Sequence, residues 1–296
     1  MNLPQGVKLE SGRGGLRRLA ITTALAEAEI YLHGAHVAHF QPRGQEPLLF
    51  LSAQSWFETG RPVRGGVPVC FPWFGSGQDG KQGASHGFAR LREWKLVGAE
   101  TASDGSVELR FHFASDEETR KQWDGDFEVD YAVRIGAALG MQLRVRNTFP
   151  KPICFEEALH TYLAVSDVRE VSIEGLANTD YLTTVGTPRK ETEGAAPIRI
   201  TAETDRIYLN TQSACVVTDA TWQRRLIVEK TGSHTTVLWN PWIEKSKRMP
   251  DFGNVEWPRM LCIESCNVRD YAVTLEPDQT HAMTATVRVE SDNRNP

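Results

Sequence analysis

Phe127-Glu128-Val129-Asp130-Tyr131-Ala132-Val133-Arg134-Ile135 alternates without a break. Phe127, Val129, Tyr131, Val133 and Ile135 fall on one side of an extended chain, and Glu128, Asp130, Ala132 and Arg134 on the other. A period of two belongs to a β-strand with one face in a core and one in water, whereas a helix would space its apolar residues three and four apart. The pattern continues outward on both sides. Val107, Leu109, Phe111 and Phe113 alternate with Glu108, Arg110 and His112, and Met141, Leu143 and Val145 alternate with Gln142, Arg144 and Arg146. Asp104-Gly105, the stretch 136–140 and Thr231-Gly232-Ser233 separate such runs and read as hairpin turns. Roughly fifteen candidate strands occur at spacings of about 8–12 residues, as in a sandwich or barrel.

Helix signals are few. Ser115 stands before Asp116, Glu117 and Glu118, with Arg120 and Lys121 after them, which predicts a short helix over 116–123 capped by Ser115. Strands do not alternate with long helices, so a doubly wound α/β fold is disfavoured. The expected class is all-β and antiparallel, with one or two short helices. No repeat or linker interrupts the pattern, so residues 1–290 are expected to form a single domain, with 291–296 a frayed tail.

Composition excludes several partners. The 296 residues are 40% hydrophobic and 24% charged, and 33 Lys and Arg stand against 38 Asp and Glu for a net charge of −5. A mildly acidic chain is a poor holder of nucleic acid by counterion release, but two or three local arginines can still bind a small anion. No stretch approaches the roughly 18 apolar residues of a membrane span, and the first ten residues have no basic-then-apolar leader. The five cysteines form no CxxC pair and are expected to be reduced thiols in apolar strands. A cytoplasmic monomer is expected, with no membrane or nucleic-acid partner.

Several motifs carry less than their spacing suggests. Gly75, Gly77 and Gly80 match GxGxxG, but the residues after them read as loop, so no helix N-terminus is available for a phosphate. Asp124, Asp126, Glu128 and Asp130 resemble a calcium ladder but run into the outer face of a strand. His33, His36 and His39 are three apart in a β segment, where His36 should point away from the other two, so no metal centre is expected.

Two segments are harder to dismiss. In 155–165, Phe155, Glu157, Leu159, Thr161 and Leu163 share one face and Glu156, Ala158, His160 and Tyr162 the other. In 260–266, Met260, Cys262, Glu264 and Cys266 share a face opposite Leu261, Ile263 and Ser265. A carboxylate in a strand that is apolar on both sides is costly without a partner or a task. A buried His and a buried Glu are the parts of an acid–base pair, and also of a structural ion pair. Arg64-Gly65-Gly66 and His86-Gly87-Phe88-Ala89-Arg90 place arginines beside glycines, where a ligand could approach the backbone and meet a guanidinium fork. Trp73, Trp239 and Trp242 are candidates for stacking on a sugar or for anchoring loops.

Six segments in order carry a resemblance: Arg64-Gly65-Gly66-Val67-Pro68-Val69-Cys70-Phe71-Pro72-Trp73-Phe74-Gly75, His86-Gly87-Phe88-Ala89-Arg90, Leu159-His160-Thr161-Tyr162, Thr204-Asp205-Arg206-Ile207-Tyr208, Trp239-Asn240-Pro241-Trp242 and Met260-Leu261-Cys262-Ile263-Glu264. Together, over about residues 40–290, the chain resembles the hexose-6-phosphate mutarotases (glucose-6-phosphate 1-epimerases) of the aldose 1-epimerase superfamily. The resemblance implies a galactose-mutarotase-like β-supersandwich, a hexose 6-phosphate substrate, and neither metal nor organic cofactor. It implies His160 as general acid and Glu264 as general base, Asp205 as a holder of sugar hydroxyls, Arg64 and Arg90 as grips on the 6-phosphate, and His86 as a histidine near the ring oxygen. Ser85 stands where a longer polar residue such as Gln is expected, and Ser265-Cys266 stands where the family often carries Pro or Gly. In such a site Glu264 is expected as a carboxylate and His160 as an imidazolium on opposite sides of the sugar ring. A non-catalytic carbohydrate-binding sandwich and a mutarotase for unphosphorylated aldoses are the competing readings. A retaining glycosidase would need two carboxylates about 5–5.5 Å apart, which His160 and Glu264 are not.

Overall fold

The alternation of Phe127–Ile135 is realised residue by residue. Its odd-numbered side chains are buried and its even-numbered ones lie toward solvent, and it pairs antiparallel with Val107–Ala114 and Ala138–Asn147. A computed structural model describes residues 2–77, 80 and 83–291. The described residues form 22 strands. The sequence suggests fewer, because strands of two to four residues, such as Val69–Cys70 and Ile153–Phe155, are too short to show alternation.

Two eight-stranded sheets make the body. The outer one runs Ser172–Glu174, Cys215–Asp219, Arg224–Thr231, Thr280–Ser291, Ala138–Asn147, Phe127–Ile135, Val107–Ala114, Lys95–Thr101. The inner one runs Arg189–Thr192, Asp180–Thr183, Thr204–Tyr208, Thr235–Asn240, Met260–Asn267, Glu157–Leu159, Val69–Cys70, with Tyr162–Ala164 also paired to Met260–Asn267. An N-terminal meander of four strands, from Val7–Ser11 to His36–Pro42, adds a further layer. One hydrophobic cluster reaches from Val7 to Val287 and includes side chains of both large sheets. Ser291 closes the last strand, and the rest of the expected tail lies outside the described residues.

The outer face of the first sheet explains the acidic ladder. Glu128 meets Arg146 at 3.4 Å and Asp130 meets His112 at 2.8 Å in cross-strand pairs, and Asp126, just before the strand, meets Arg120 of the short helix at 2.6 Å. The expected helix is shorter than 116–123. It spans Glu117–Arg120, and its cap is Asp116 rather than Ser115: the Asp116 carboxylate accepts from the Thr119 N–H while the Thr119 hydroxyl accepts from the Asp116 N–H. A second helix, Trp242–Arg248, has no capping side chain and left no sequence signal. All five cysteines are free, but Cys154 is exposed rather than buried. Among the described residues no helix is long and apolar enough to cross a membrane.

In the inner sheet, Glu157 stands opposite Asn267. Its Oε1 accepts from Asn267 Nδ2 at 2.8 Å and faces His281 Nε2 at 3.0 Å, tying the inner sheet to the last strand of the outer one.

Candidate active site

Strand register assembles the site. Met260–Asn267 is buried along its whole length, as a central strand covered on both faces must be. Tyr162 pairs with Cys262 and Leu159 with Ser265, so the antiparallel register between them sets His160 across from Glu264. Directly opposed residues share a face with their Cβ atoms about 4.5–5.5 Å apart. His160 Nε2 accordingly lies 3.3 Å from Glu264 Oε1. The same row logic continues across the sheet: Cys262 pairs with Trp239, and Trp239 with Asp205. His160, Glu264, Cys262, Tyr162, Trp239 and Asp205 therefore share one face.

The aromatic groups fix the pair. The Tyr162 ring stacks on His160 with centroids 4.7 Å apart and planes 10° from parallel, and Trp239 meets the imidazole edge-on at 6.0 Å. Trp73 and Trp242 face elsewhere. Trp73 donates to the Ala84 carbonyl and packs on Phe88, and Trp242 packs on Trp257 at 4.3 Å. Of the three candidate tryptophans, only Trp239 looks into the site.

Arg64 and Arg90 reach the same region from the segments around the Gly-rich loop. Arg64 donates Nη1 to the Tyr162 hydroxyl at 3.0 Å and Nε to Asp251 at 3.2 Å, and Asp251 is itself buried. Arg90 is buried, donates Nη2 to the Ser85 carbonyl at 2.7 Å, and leaves Nε without a partner among the described residues. With Trp56, Arg61, Ser85 and His86 they line a cleft of about 460 Å³. His86 joins this cleft to the pair, its ring 5.6 Å from that of His160. The Gly75 N–H donates to His86 Nδ1 at 3.3 Å, which leaves Nε2 to carry the ring proton.

The glycines do not hold space for a ligand, as their place beside the arginines suggests. Gly66 has φ +60°, and a Cβ there would meet the Val37 carbonyl oxygen at 2.2 Å. At Gly87, with φ +75°, it would meet the Phe71 carbonyl oxygen at 2.0 Å. Both glycines let backbones cross, which fixes the arginine segments. Gln78, Asp79, Lys81 and Gln82 of the loop lie outside the described residues. Ser85 is exposed and meets Arg90 through its backbone, so its short side chain is not what engages the arginine. Ser265 and Cys266 continue the strand in register, so the absence of Pro or Gly leaves the backbone regular.

Asp205 lies at the other end of the face, 3.7 Å from Lys245 Nζ, which also pairs with Glu203 at 3.2 Å. The sequence gives no role to Asp251, Lys245 or Tyr162. Lys245 and Asp251 sit in and after a helix that sequence pattern misses, and Tyr162 is hidden in a run that reads as core. The N-terminal histidines do not converge into a ligand set, since His33 Nε2 bonds the Arg61 carbonyl. Among the described residues, the three-donor group of His, Cys and Glu atoms is His160, Cys262 and Glu264, with its atoms within 4.8 Å of one another.

Electrostatics turn the expected charge state around. Burial, then Arg90 and Arg64, push the His160 imidazole well below its ordinary pKa. Burial, then Asp205, push the Glu264 carboxyl well above its own. For two groups 3.3 Å apart, removal from water favours the neutral arrangement, imidazole and carboxylic acid, over imidazolium and carboxylate. The pair also stands side by side, because register makes the two residues direct neighbours. The His86 imidazole is held neutral by burial and then by Arg90, His160 and Arg64.

The pattern described as Aldose 1-epimerase matches residues 17–288. The chain belongs to the aldose 1-epimerase family. It is 36% identical over 262 residues to a Cenchrus ciliaris protein named "Putative glucose-6-phosphate 1-epimerase", covering 85% of this chain and 78% of that one. An Escherichia coli K12 protein of the same name is 34% identical over 240 residues, 81% of this chain and 79% of its own. Among solved structures, a Salmonella typhimurium protein described as a "putative mutarotase (YeaD)" superposes with a TM-score of 0.91 at 28% identity, covering 98% of this chain and 95% of that one. A galactose mutarotase-like protein from Clostridium acetobutylicum, 15% identical, shares the fold with a TM-score of 0.74 over 96% of this chain and 98% of its own. The architecture is thus the galactose-mutarotase-like one, and the family is one of isomerases.

Proposed function

We propose that the protein interconverts the α and β anomers of a hexose 6-phosphate, glucose 6-phosphate foremost, with His160 and Glu264 as the proton-transfer pair. The observation that carries this reading is the buried contact between them, 3.3 Å apart, beside His86, which lines a cleft together with Arg64 and Arg90. The names of the relatives supply the substrate class. The guanidinium forks support it, because they match a phosphate dianion better than a neutral hydroxymethyl group.

The chemistry follows from the charge state. A 6-phosphate between Arg64 and Arg90 offsets the positive field that holds His160 neutral, and the carboxyl proton moves from Glu264 to His160. The anomeric and ring oxygens are bonded to one carbon, so two adjacent groups can each face one of them. Glu264 takes the proton of the anomeric hydroxyl while His160 protonates the ring oxygen, and the C1–O5 bond breaks to give an aldehyde. Rotation about C1–C2 presents the other face. His160 then takes back the proton of the C5 hydroxyl as its oxygen attacks C1, and Glu264 returns one to the carbonyl oxygen. Protons and electrons balance within this pair, so the reaction asks for no cofactor. His86 offers Nε2–H toward the ring, Asp205 accepts from sugar hydroxyls, and Trp239 packs against the sugar. Ser85 contributes by holding Arg90.

These proton transfers ask for no residue of a second copy, and the reading is of a monomer. The free cysteines suit a reducing compartment and support a cytoplasmic location. The deciding experiment is NMR exchange spectroscopy of the glucose 6-phosphate anomers with and without protein. Faster exchange than in buffer is expected, with glucose itself a poorer substrate. Equal exchange with and without protein overturns the reading, and equal acceleration of both sugars removes the phosphate from it.

A further inference from the structure

The mechanism gives Cys262 nothing to do, yet its thiol is buried beside the two groups that move protons. Cys262 precedes Glu264 by two positions on one strand, so both side chains leave the same face, and His160 stands across from Glu264. One nitrogen, one sulfur and one oxygen donor therefore converge within 4.8 Å of one another. Glu264 Oε2 is buried with no hydrogen-bond partner among the described residues, so the cluster has unspent polar capacity.

We propose that His160, Cys262 and Glu264 form an inhibitory site for a thiophilic divalent cation, Zn²⁺ above all, that closes the proton-transfer pair when occupied. Imidazole nitrogen, thiolate and carboxylate are a zinc donor set, and three protein ligands leave a fourth position for water. Hard cations such as Mg²⁺ want oxygen ligands and near-octahedral geometry, which this cluster does not provide.

The charge arithmetic permits binding despite the neighbouring arginines. As the Zn–S and Zn–O bonds form, Cys262 releases its thiol proton and Glu264 its carboxyl proton to solvent, while neutral His160 donates a lone pair. One dication replaces two protons, and the net charge of the site does not change. Arg64, Arg90, Asp205, His86, Tyr162 and the Cys70 and Cys266 thiols, the ionisable groups around these residues, therefore face the same total charge as before. With zinc in place, Glu264 cannot take the anomeric proton and His160 cannot give one to the ring oxygen. The inhibitory consequence rests on the catalytic reading of this pair, but the binding does not.

Cadmium reports the site directly, because a Cd²⁺–thiolate bond has an ultraviolet charge-transfer band. The exposed Cys154 is first removed as C154S, and Cd²⁺ is added to that protein and to its C262S and C262A derivatives. The band is expected in the first and absent in both derivatives, and Zn²⁺ should bleach it. In mutarotation assays Zn²⁺ should inhibit the C154S protein reversibly by chelator, and the Cys262 variants should need at least about tenfold more Zn²⁺ for the same inhibition. No band in the C154S protein, or an equal band after Cys262 is replaced, overturns the site. A band in a protein that fails to accelerate anomer exchange leaves the metal site standing and overturns the catalytic reading instead.

Discussion

Two His–carboxylate pairs have their carboxylates on adjacent strands of the inner sheet, one with its histidine on the outer sheet, and they behave oppositely. His281 and Glu157 approach at 3.0 Å, and His160 and Glu264 at 3.3 Å. Burial works against the charge of both histidines, yet hydrogen bonding and charge from Glu157 raise the His281 pKa, while that of His160 is driven far down. The carboxylates differ in their support: Glu157 Oε1 receives Asn267 Nδ2 besides facing His281, whereas Glu264 Oε1 faces His160 alone among the described residues; the second oxygen of each carboxylate has no donor there. The histidines differ in their surroundings. His281 retains partial access to water, but His160 is enclosed and sits in the field of Arg90 and Arg64. The first pair is built to hold a charge and tie two sheets. The second keeps its proton on Glu264 while the arginine field stands, and offsetting that field lets the proton pass to His160.

The largest test of the contrast is removal of each pair. E264Q and H160A should each slow anomer exchange by about 10²–10⁴-fold, with the double variant no worse than roughly the poorer single one. H281Q should leave the exchange rate near that of the parent protein. An H281Q loss comparable to H160A would erase the distinction.

Next in size are the arginines. R64A or R90A removes charge-assisted hydrogen bonds worth about 1.5–3 kcal/mol, so KM for glucose 6-phosphate should rise roughly 10- to 100-fold, with a smaller change in KM for glucose. D251N, which loosens Arg64 without removing it, should raise KM less. Steady-state kinetics on both sugars checks all three.

Histidine NMR sharpens the comparison without mutation. The His281 ring should titrate above the ordinary value of about 6.5, and the His160 ring should stay neutral through that range until glucose 6-phosphate is added. A His160 signal that titrates normally in the empty site would break the argument that burial and the arginines set its state.

Stability gives a smaller effect with a definite sign. Folding raises the His281 pKa, so its contribution is fully present below about pH 6.5 and fades as pH rises through the folded value. Denaturation of H281Q against the parent should show the larger difference at acid pH and a shrinking one on the alkaline side. The smallest expected change is D116A, which touches neither pair and should cost about 1 kcal/mol through loss of the helix cap.

The long strands were legible in the sequence because solvent writes their alternation: Phe127–Ile135 has water on one side only. His160 and Glu264 were legible for the opposite reason, as polar residues in runs with no wet face. Their partnership came from motif resemblance, since nothing local says that His160 lies across from Glu264; register does. The charge state was not legible either. It depends on how deeply two arginines from distant segments are buried beside the pair. Asp251 and Lys245 escaped because the helix Trp242–Arg248 has no capping side chain and little periodicity in so short a span.

Arg64 and Asp251 are 187 residues apart in the chain and meet only in the finished sheet. The order of the inner sheet draws strands from the first third, the middle and the last third of the sequence, with late strands at its centre. Closing such long loops costs entropy before any contact repays it, and folds rich in distant pairings assemble slowly. A chain emerging from synthesis can complete its N-terminal meander early, but it has no site until Met260–Asn267 pairs with Glu157–Leu159 and Tyr162–Ala164, made long before. On refolding from denaturant, the return of mutarotase activity should therefore coincide with the slowest structural phase, making catalysis a report that folding is finished.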